Sequence, residues 1–437
     1  MTQDHASRRG RRLTATVTDL TVMVQRAFLI GVVFPGTSME EEERSLQELA
    51  LLTDTAGAEV VDMELVKRTD VDPATFIGKG KAVELAQLTQ ALDIDVVLFD
   101  HQLTPAQQRN LQDLFGCDVV DREGLILDIF AQHARSKIGA LQVELALLRY
   151  HLPRLRGKGK GMSQQAAGAG ITNRGPGETK LELDRRRILT RISKLERELA
   201  ESSSHQETQR KKRRASLIPQ VSIVGYTNAG KSTLLNALTD SDVLVEDRLF
   251  ATLDPTVRRF ERPGHRPFLL ADTVGFVRRL PHGLVESFRS TLQEAADADL
   301  LIHLVDATDP DVAGQIAAVR EVLSEIGADE IPQLLVLNKA DVLTPTRRER
   351  LTNLYPDAIL ISSLTGEGLD ELVDAISAAL AESLVTLSLA IPYDRGDLVA
   401  AAHEMGEVVE EKHDESGTIL DVRVPAAVAS RFEGFSR

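Results

Sequence analysis

The chain has 437 residues, 43% hydrophobic and 27% charged, with 51 Lys and Arg against 66 Asp and Glu for a net charge of −15. At roughly 100–200 residues per domain this length predicts two to four domains with buried cores, and the composition excludes global disorder. The single cysteine, Cys117, rules out an intramolecular disulfide and a cysteine-based zinc cluster. No apolar run approaches the roughly 20 residues of a spanning helix and the N-terminus carries no hydrophobic signal core. The expectation is a cytoplasmic monomer whose only route to a membrane is peripheral.

In chain order, residues 1–25 hold Arg8, Arg9, Arg11 and Arg12 without an apolar period and read as a flexible basic tail. Over 26–121, apolar runs at 28–34, 58–66, 95–99 and 117–120 alternate with helical patterns at 41–53, 79–92 and 105–115. That alternation predicts a small parallel α/β domain. Region 122–201 switches to a long helical pattern that Pro153 should stop, a glycine-rich loop at 156–177 and a second helix at 178–201. Two helices around a basic loop predict a protruding hairpin. Residues 202–216 read as a basic linker, 217–383 as a second α/β domain, and 384–437 as a small C-terminal α/β appendage. The fold class is therefore α/β throughout, apart from the hairpin.

Charge is unevenly spread along these regions. Between His151 and Arg214 there are 17 Lys and Arg against 7 acids, a net of +10 inside an acidic chain. Clustered cations of this kind suit a polyanion, although a solvated helix with a charged linker fits the same numbers.

The strongest chemical signal is Gly225-Tyr226-Thr227-Asn228-Ala229-Gly230-Lys231-Ser232, which follows an apolar strand and precedes a helical pattern beginning at Thr233. Such a loop curls its backbone N–H groups around a phosphate at a helix N-terminus. Lys231 adds charge against the β and γ phosphates, and the Ser232 hydroxyl suits Mg²⁺. Downstream, Asp272-Thr273-Val274-Gly275 ends a strand with an acid able to hold Mg²⁺ through water and a glycine N–H for the γ-phosphate. Asn338-Lys339-Ala340-Asp341 follows a later strand, and its Asp341 carboxylate matches guanine's ring N–H and exocyclic amine, which adenine lacks. Ser362-Ser363-Leu364 then offers a loop backbone to the guanine oxo group. These motifs, in this order, predict GTP and GDP as ligands and GTP hydrolysis as the reaction.

Between the phosphate loop and Asp272, the segment Phe250-Ala251-Thr252-Leu253-Asp254-Pro255-Thr256 supplies a threonine to close over Mg²⁺, Thr252 first and Thr256 in reserve. Phe276 stands where many GTPases place a water-orienting glutamine. Slow intrinsic turnover follows. Asn228 resembles the potassium-coordinating residue of cation-activated GTPases, so K⁺ is a candidate for the missing positive charge.

Beyond these motifs, four segments resemble the HflX family of ribosome-associated GTPases: Phe76-Ile77-Gly78-Lys79-Gly80-Lys81, Asp121 through Phe130, Arg174-Gly175-Pro176-Gly177-Glu178-Thr179-Lys180-Leu181-Glu182, and Phe250 through Thr256. The resemblance covers nearly the whole ordered chain. It implies binding to the large ribosomal subunit and its RNA in the GTP-bound state, with stalled ribosomes split in some members. On that basis Arg154, Arg156, Lys158, Lys160, Arg174, Arg185, Arg186 and Arg187 are expected to neutralise ribosomal RNA phosphates. Ser363 departs from the alanine usual in the last guanine motif. Some family members use ATP through the N-terminal domain, for which Gly78 to Lys81 is the available segment. No strand immediately precedes it, and a helix-start turn explains it as well. Two other functions fit the sequence: a nucleotide-gated ribosome-associated scaffold with negligible turnover, and a GTPase acting in tRNA modification.

Overall fold

The computed structural model describes residues 24–155, 180–215, 218–239, 249–250, 252, 256–279, 289–382, 384–414, 416–425 and 429–436. By contacts the chain divides into two compact units. One comprises Met1–Ser202 together with Glu246–Asp254 and Arg278–Arg289; the other holds Ser203–Val245, Pro255–Val277 and Ser290–Arg437.

The first unit is built on four parallel strands, β1 (Gln25–Val33), β2 (Ala58–Lys67), β3 (Val96–Phe99) and β4 (Asp118–Asp121), in the order β2-β1-β3-β4. The connecting helices are α1 (Met39–Thr55), α2 (Lys79–Ala91) and α3 (Pro105–Phe115). Their starts are set locally. Ser38 and Glu41 form a reciprocal capping box at α1, Thr104 and Gln107 another at α3, where Pro105 fixes the first turn. Phe28, Ile30, Val97, Phe99, Leu111 and Phe115 form the core between the sheet and helices α2 and α3. Gly78 caps α2 with φ +84° and no side-chain bond, which is the helix-start turn expected at that glycine.

The helical region differs from the expectation in three ways. The pattern over 122–150 is two helices, α4 (Arg122–His133) and α5 (Lys137–Leu155), broken at Ala134, whose ψ of 104° leaves the helical range. Pro153 does not stop α5 but lies inside its last turn, where only one backbone bond is lost. The segment read as a linker is helical: α6 runs unbroken from Lys180 to Ala215. It holds no glycine or proline, and its Lys, Arg, Glu and Gln are all good helix formers. Helices α5 and α6 do pack together as the hairpin reading requires, through Leu141, Leu145, Ile192 and Leu195. Arg191 adds a two-pronged pair to Glu144 at 2.7 and 2.6 Å.

The second unit carries a six-stranded sheet of β5 (Gln220–Gly225), β6 (Thr256–Phe260), β7 (Phe268–Asp272), β8 (Leu300–Asp306), β9 (Gln333–Asn338) and β10 (Ile359–Leu360). Their order is β10-β9-β8-β5-β7-β6, parallel except for β6 against β7. Around it lie α7 (Lys231–Thr239), α8 (Arg289–Ala296), α9 (Val312–Glu325), α10 (Pro345–Leu354) and α11 (Leu369–Glu382). The appendage is an antiparallel sheet, β11 (Leu384–Ile391), β13 (Gly417–Pro425) and β12 (Glu407–Asp414) in that order, packed on α12 (Gly396–Met405). Among the described residues no helix is long and apolar enough to cross a membrane.

Candidate functional site

Four loops leave the C-terminal edges of β5, β7, β9 and β10, the end of a parallel sheet where ligands bind. The first wraps from β5 into α7. Asn228 and Gly230 both adopt left-handed backbone, with φ of 59° and 94°. At Gly230 a Cβ would lie 2.3 Å from the Asn338 amide, so both the turn and the close approach demand glycine. The Thr227 hydroxyl is buried and, among the described residues, has no hydrogen-bond partner.

Lys231 is buried and its Nζ donates to the Gly225 and Tyr226 carbonyls at 3.2 and 2.9 Å. Burial lowers its pKa to about 8, partly offset by Asp272. The cost of that buried ammonium falls when phosphate charge lies against it. Ser232 Oγ donates to Asp272 Oδ2 at 2.5 Å, joining the helix start to the end of β7.

Gly275 lies against the phosphate loop. A Cβ there would sit 2.6 Å from Thr227 Cγ2 and 3.1 Å from Lys231 Nζ. The next residue, Phe276, is buried, and its backbone bridges the loop by Phe276 N to Gly225 O (3.1 Å) and Thr227 N to Phe276 O (2.8 Å). Its ring is core, as a residue that cannot orient water would be.

The base loop is tied to the phosphate loop through one side chain. Asn338 Nδ2 donates to the Ala229 carbonyl at 2.8 Å, while its Oδ1 accepts from Ser363 N and Oγ, both at 2.9 Å. Ser363 therefore contributes a hydroxyl that an alanine at this position would lack. Asp341 is exposed, its Oδ1 accepting from Ser362 Oγ at 2.6 Å. Lys339 pairs with Asp306 at 2.7 Å. Leu364 is 80% exposed.

Successive regions of the chain match family models described as "GTP-binding GTPase N-terminal" (43–131), "GTP-binding GTPase Middle Region" (133–213), "50S ribosome-binding GTPase" (220–339) and "HflX C-terminal domain" (349–434). The GTPase HflX of Caldanaerobacter subterraneus subsp. tengcongensis is 46% identical over 94% of each chain. The chain belongs to the HflX GTPase family. The GTPase HflX of Escherichia coli is 43% identical over 92% of this chain and 94% of its own. A GTP-binding protein from the archaeon Sulfolobus solfataricus, solved with GDP, is 27% identical, with a TM-score of 0.42 over 82% of this chain and 99% of that one. As an HflX-family protein the chain is a GTP-hydrolysing, ribosome-associated enzyme.

Of the residues expected in the pocket, those from 225 to 233, Asp272, Gly275, Asn338 to Asp341 and Ser362 to Leu364 gather at one edge of the second unit's sheet. Phe250 and Thr252 do not belong to that unit. The Phe250 ring is 2% exposed and packs edge-on against Phe130 at 4.7 Å, so its side chain is core in the N-terminal unit rather than a nucleotide contact. Thr252 is half-buried in the same unit.

Arg154 also needs correction. Its guanidinium stacks 3.4 Å over the Tyr150 ring and donates to Asp121 Oδ2 (3.0 Å), Gln108 Oε1 (2.6 Å) and the Leu103 carbonyl (3.2 Å). Those contacts consume the donors expected to face RNA. Arg185, Arg186 and Arg187 are exposed on α6. Arg156, Lys158, Lys160 and Arg174 lie outside the described residues. Sequence reasoning missed Asp306, the partner of Lys339, and the bond from the Ser362 hydroxyl to Asp341. Both are visible only once strands β8 and β10 are placed beside β9.

Proposed function

We propose that the protein is a GTP-driven switch on the ribosome, binding the large subunit in its triphosphate state and acting on stalled or idle ribosomes. The observation that carries the reading is the Asn338 bridge, which joins the loop that selects the base to the loop that holds the phosphates, so one ligand must satisfy both. In this reading Asp341 clasps guanine, with Ser362 aligning the carboxylate. Backbone N–H groups from 226 to 231 and the Lys231 ammonium hold the phosphates.

The close Ser232–Asp272 pair fits the donor set a magnesium ion needs, one hydroxyl ligand and a carboxylate reached through water. Magnesium held there would neutralise charge on the β and γ phosphates. Gly275 N–H orients the γ-phosphate for in-line attack by water. Phe276, which is buried and has no hydrogen-bonding side chain, stands where a glutamine would position that water. Asn228, exposed in the phosphate loop, is the residue that would take K⁺.

The test is gradient sedimentation with large subunits and a non-hydrolysable GTP analogue. Co-migration is expected with the analogue and not with GDP. Neutralising Arg185, Arg186 and Arg187 together should weaken it while GTP binding is unchanged; equal co-migration with both nucleotides overturns the switch. Turnover in K⁺ against Na⁺ at equal ionic strength separately tests Asn228, and identical rates remove it from the mechanism.

A further inference from the structure

Buried polar groups in folded proteins nearly always find a hydrogen-bond partner, so an exception asks for a reason. Thr227 is such an exception. It is 5% exposed, and among the described residues its Oγ1 has no partner. An apolar side chain of the same shape would avoid the cost of burying that hydroxyl. The hydroxyl therefore does not serve the fold.

The backbone fixes what surrounds Thr227. Its N–H donates to the Phe276 carbonyl at 2.8 Å, and the Phe276 N–H donates to the Gly225 carbonyl at 3.1 Å. Gly275 is thereby pressed onto the phosphate loop. A Cβ built on Gly275 would lie 2.6 Å from Thr227 Cγ2 and 3.1 Å from Lys231 Nζ, so the Thr227 side chain and the Lys231 ammonium meet the same side of Gly275. All of these residues belong to the second unit.

Cγ2 and Oγ1 of Thr227 share one Cβ. A single step of 120° about χ1 carries the hydroxyl to the place the methyl group now holds, against Gly275. Among the described residues no hydrogen bond of the hydroxyl has to break for that step. A phosphate oxygen brought there would give the buried hydroxyl the acceptor it lacks, and a bond to a charged acceptor is the stronger kind.

We propose that Thr227 reads the third phosphate of GTP: its hydroxyl turns toward Gly275 and donates to a γ-phosphate oxygen. The proposal rests on the pocket assignment above, with Gly275 and Lys231 at the γ-phosphate. GDP brings no γ-phosphate oxygen, so the bond favours the triphosphate. Phe276 has no polar side chain to offer at this place, and Thr227 supplies one from the facing loop. The same bond restrains the γ-phosphate for in-line attack, so its loss is felt in turnover as well as in affinity.

The test compares the full-length protein with three variants. Thr227→Val keeps the shape and removes the hydroxyl, Thr227→Ser keeps the hydroxyl and removes the methyl group, and Thr227→Ala is a second form without the hydroxyl. The measurements are affinity for GDP, affinity for a non-hydrolysable GTP analogue, and kcat and KM for GTP. Thr227→Val should lower the analogue-to-GDP affinity ratio on the order of tenfold, the worth of one hydrogen bond to a charged group, and lower kcat/KM at least as much. Its GDP affinity should stay within about twofold of the parent, because the backbone N–H groups that hold the other phosphates are unchanged. Thr227→Ser should keep most of the ratio and of kcat/KM. Should the valine form fail to fold, Thr227→Ala carries the same expectation. A ratio within twofold of the parent in the forms lacking the hydroxyl overturns the proposal. So does an equal loss of affinity for GDP and the analogue, or a serine form that loses as much as the valine form. Failure of the pocket assignment looks different: Lys231→Ala would then leave affinity for both nucleotides unchanged, whatever residue 227 does.

Discussion

At the scale of single residues, two substitutions separate base choice from chemistry. Replacing Asp341 by Asn exchanges one carboxylate acceptor for an amide donor while keeping shape, so guanine's exocyclic amine meets a donor. GTP affinity should fall roughly 100-fold, the worth of a charge-assisted pair, and xanthosine triphosphate, which carries an oxygen at that position, should bind better than GTP. Calorimetry with both nucleotides checks this, and an unchanged preference removes Asp341 from the base site. Gly275→Ala acts on the other end of the ligand. Its new Cβ would meet Thr227 Cα at 2.9 Å and Thr227 Cγ2 at 2.6 Å, contacts that only a backbone shift relieves. Since misplacement by about 1 Å can cost on the order of 100-fold in rate, single-turnover hydrolysis should slow by that order with GDP affinity little altered. The motif residues behind both predictions were legible in the sequence because their spacing follows strand ends. The hydroxyl that aligns Asp341 was not, since Ser362 is 21 residues away and meets it only through the pairing of β9 and β10.

At the scale of elements, the turn from β4 into α4 shows one acid doing several jobs. Asp121 caps α4 by accepting from Gly124 N at 3.0 Å, and also accepts from Leu103 N (3.0 Å), Tyr150 Oη (2.8 Å) and Arg154 (3.0 Å). The helical hairpin is thereby fastened to the sheet at α5. Burial and the neighbouring carboxylate hold the Tyr150 hydroxyl far above its ordinary pKa, so it stays a donor at all physiological pH. Arg154→Ala leaves that carboxylate buried without its cation and should destabilise the protein by about 3 kcal/mol, read as a lower denaturation midpoint with nucleotide affinity unchanged. A variant of full stability that binds ribosomes weakly would instead return Arg154 to the RNA-facing set. From sequence, Arg154 was one cation among 17 in a basic stretch. Its withdrawal into the N-terminal unit depends on Tyr150 and Asp121, which composition cannot rank.

At the scale of the whole molecule, stability carries a buried titration. His303, in the middle of β8, is fully enclosed, and desolvation, assisted by Arg320, lowers its pKa to about 4 from an ordinary 6.5. Below pH 6.5 the unfolded chain takes up a proton that the folded chain refuses, so stability falls as pH drops from about 6.5 to about 4 and this loss stops below that. A lowering of this size corresponds to roughly 3 kcal/mol of stability lost across that interval. His303→Gln or →Leu should flatten the decline in chemical denaturation between those limits; an unaltered slope means that other groups carry it. Cys117 brings no comparable sensitivity to oxidants, since burial pushes its thiol up to about 12 and the thiolate is scarce at neutral pH.

The sequence by itself determined the α/β class, the alternation of strands and helices over 26–121, the phosphate loop and the guanine motif, because each rests on periodicity or spacing within a few residues. Helix α3 begins at Pro105 and ends at Phe115 as its capping box and terminal glycine dictate. Only the tertiary structure decided which charges are spent inside the fold and which remain outside. Arg154 pairs with Asp121 33 residues away, Phe250 packs on Phe130, and Arg279 reaches Glu42 across 237 positions. Such partners are chosen by how sheets and helices stack, since a buried charge must find its counterion wherever the chain has carried it, and no local pattern records that distance.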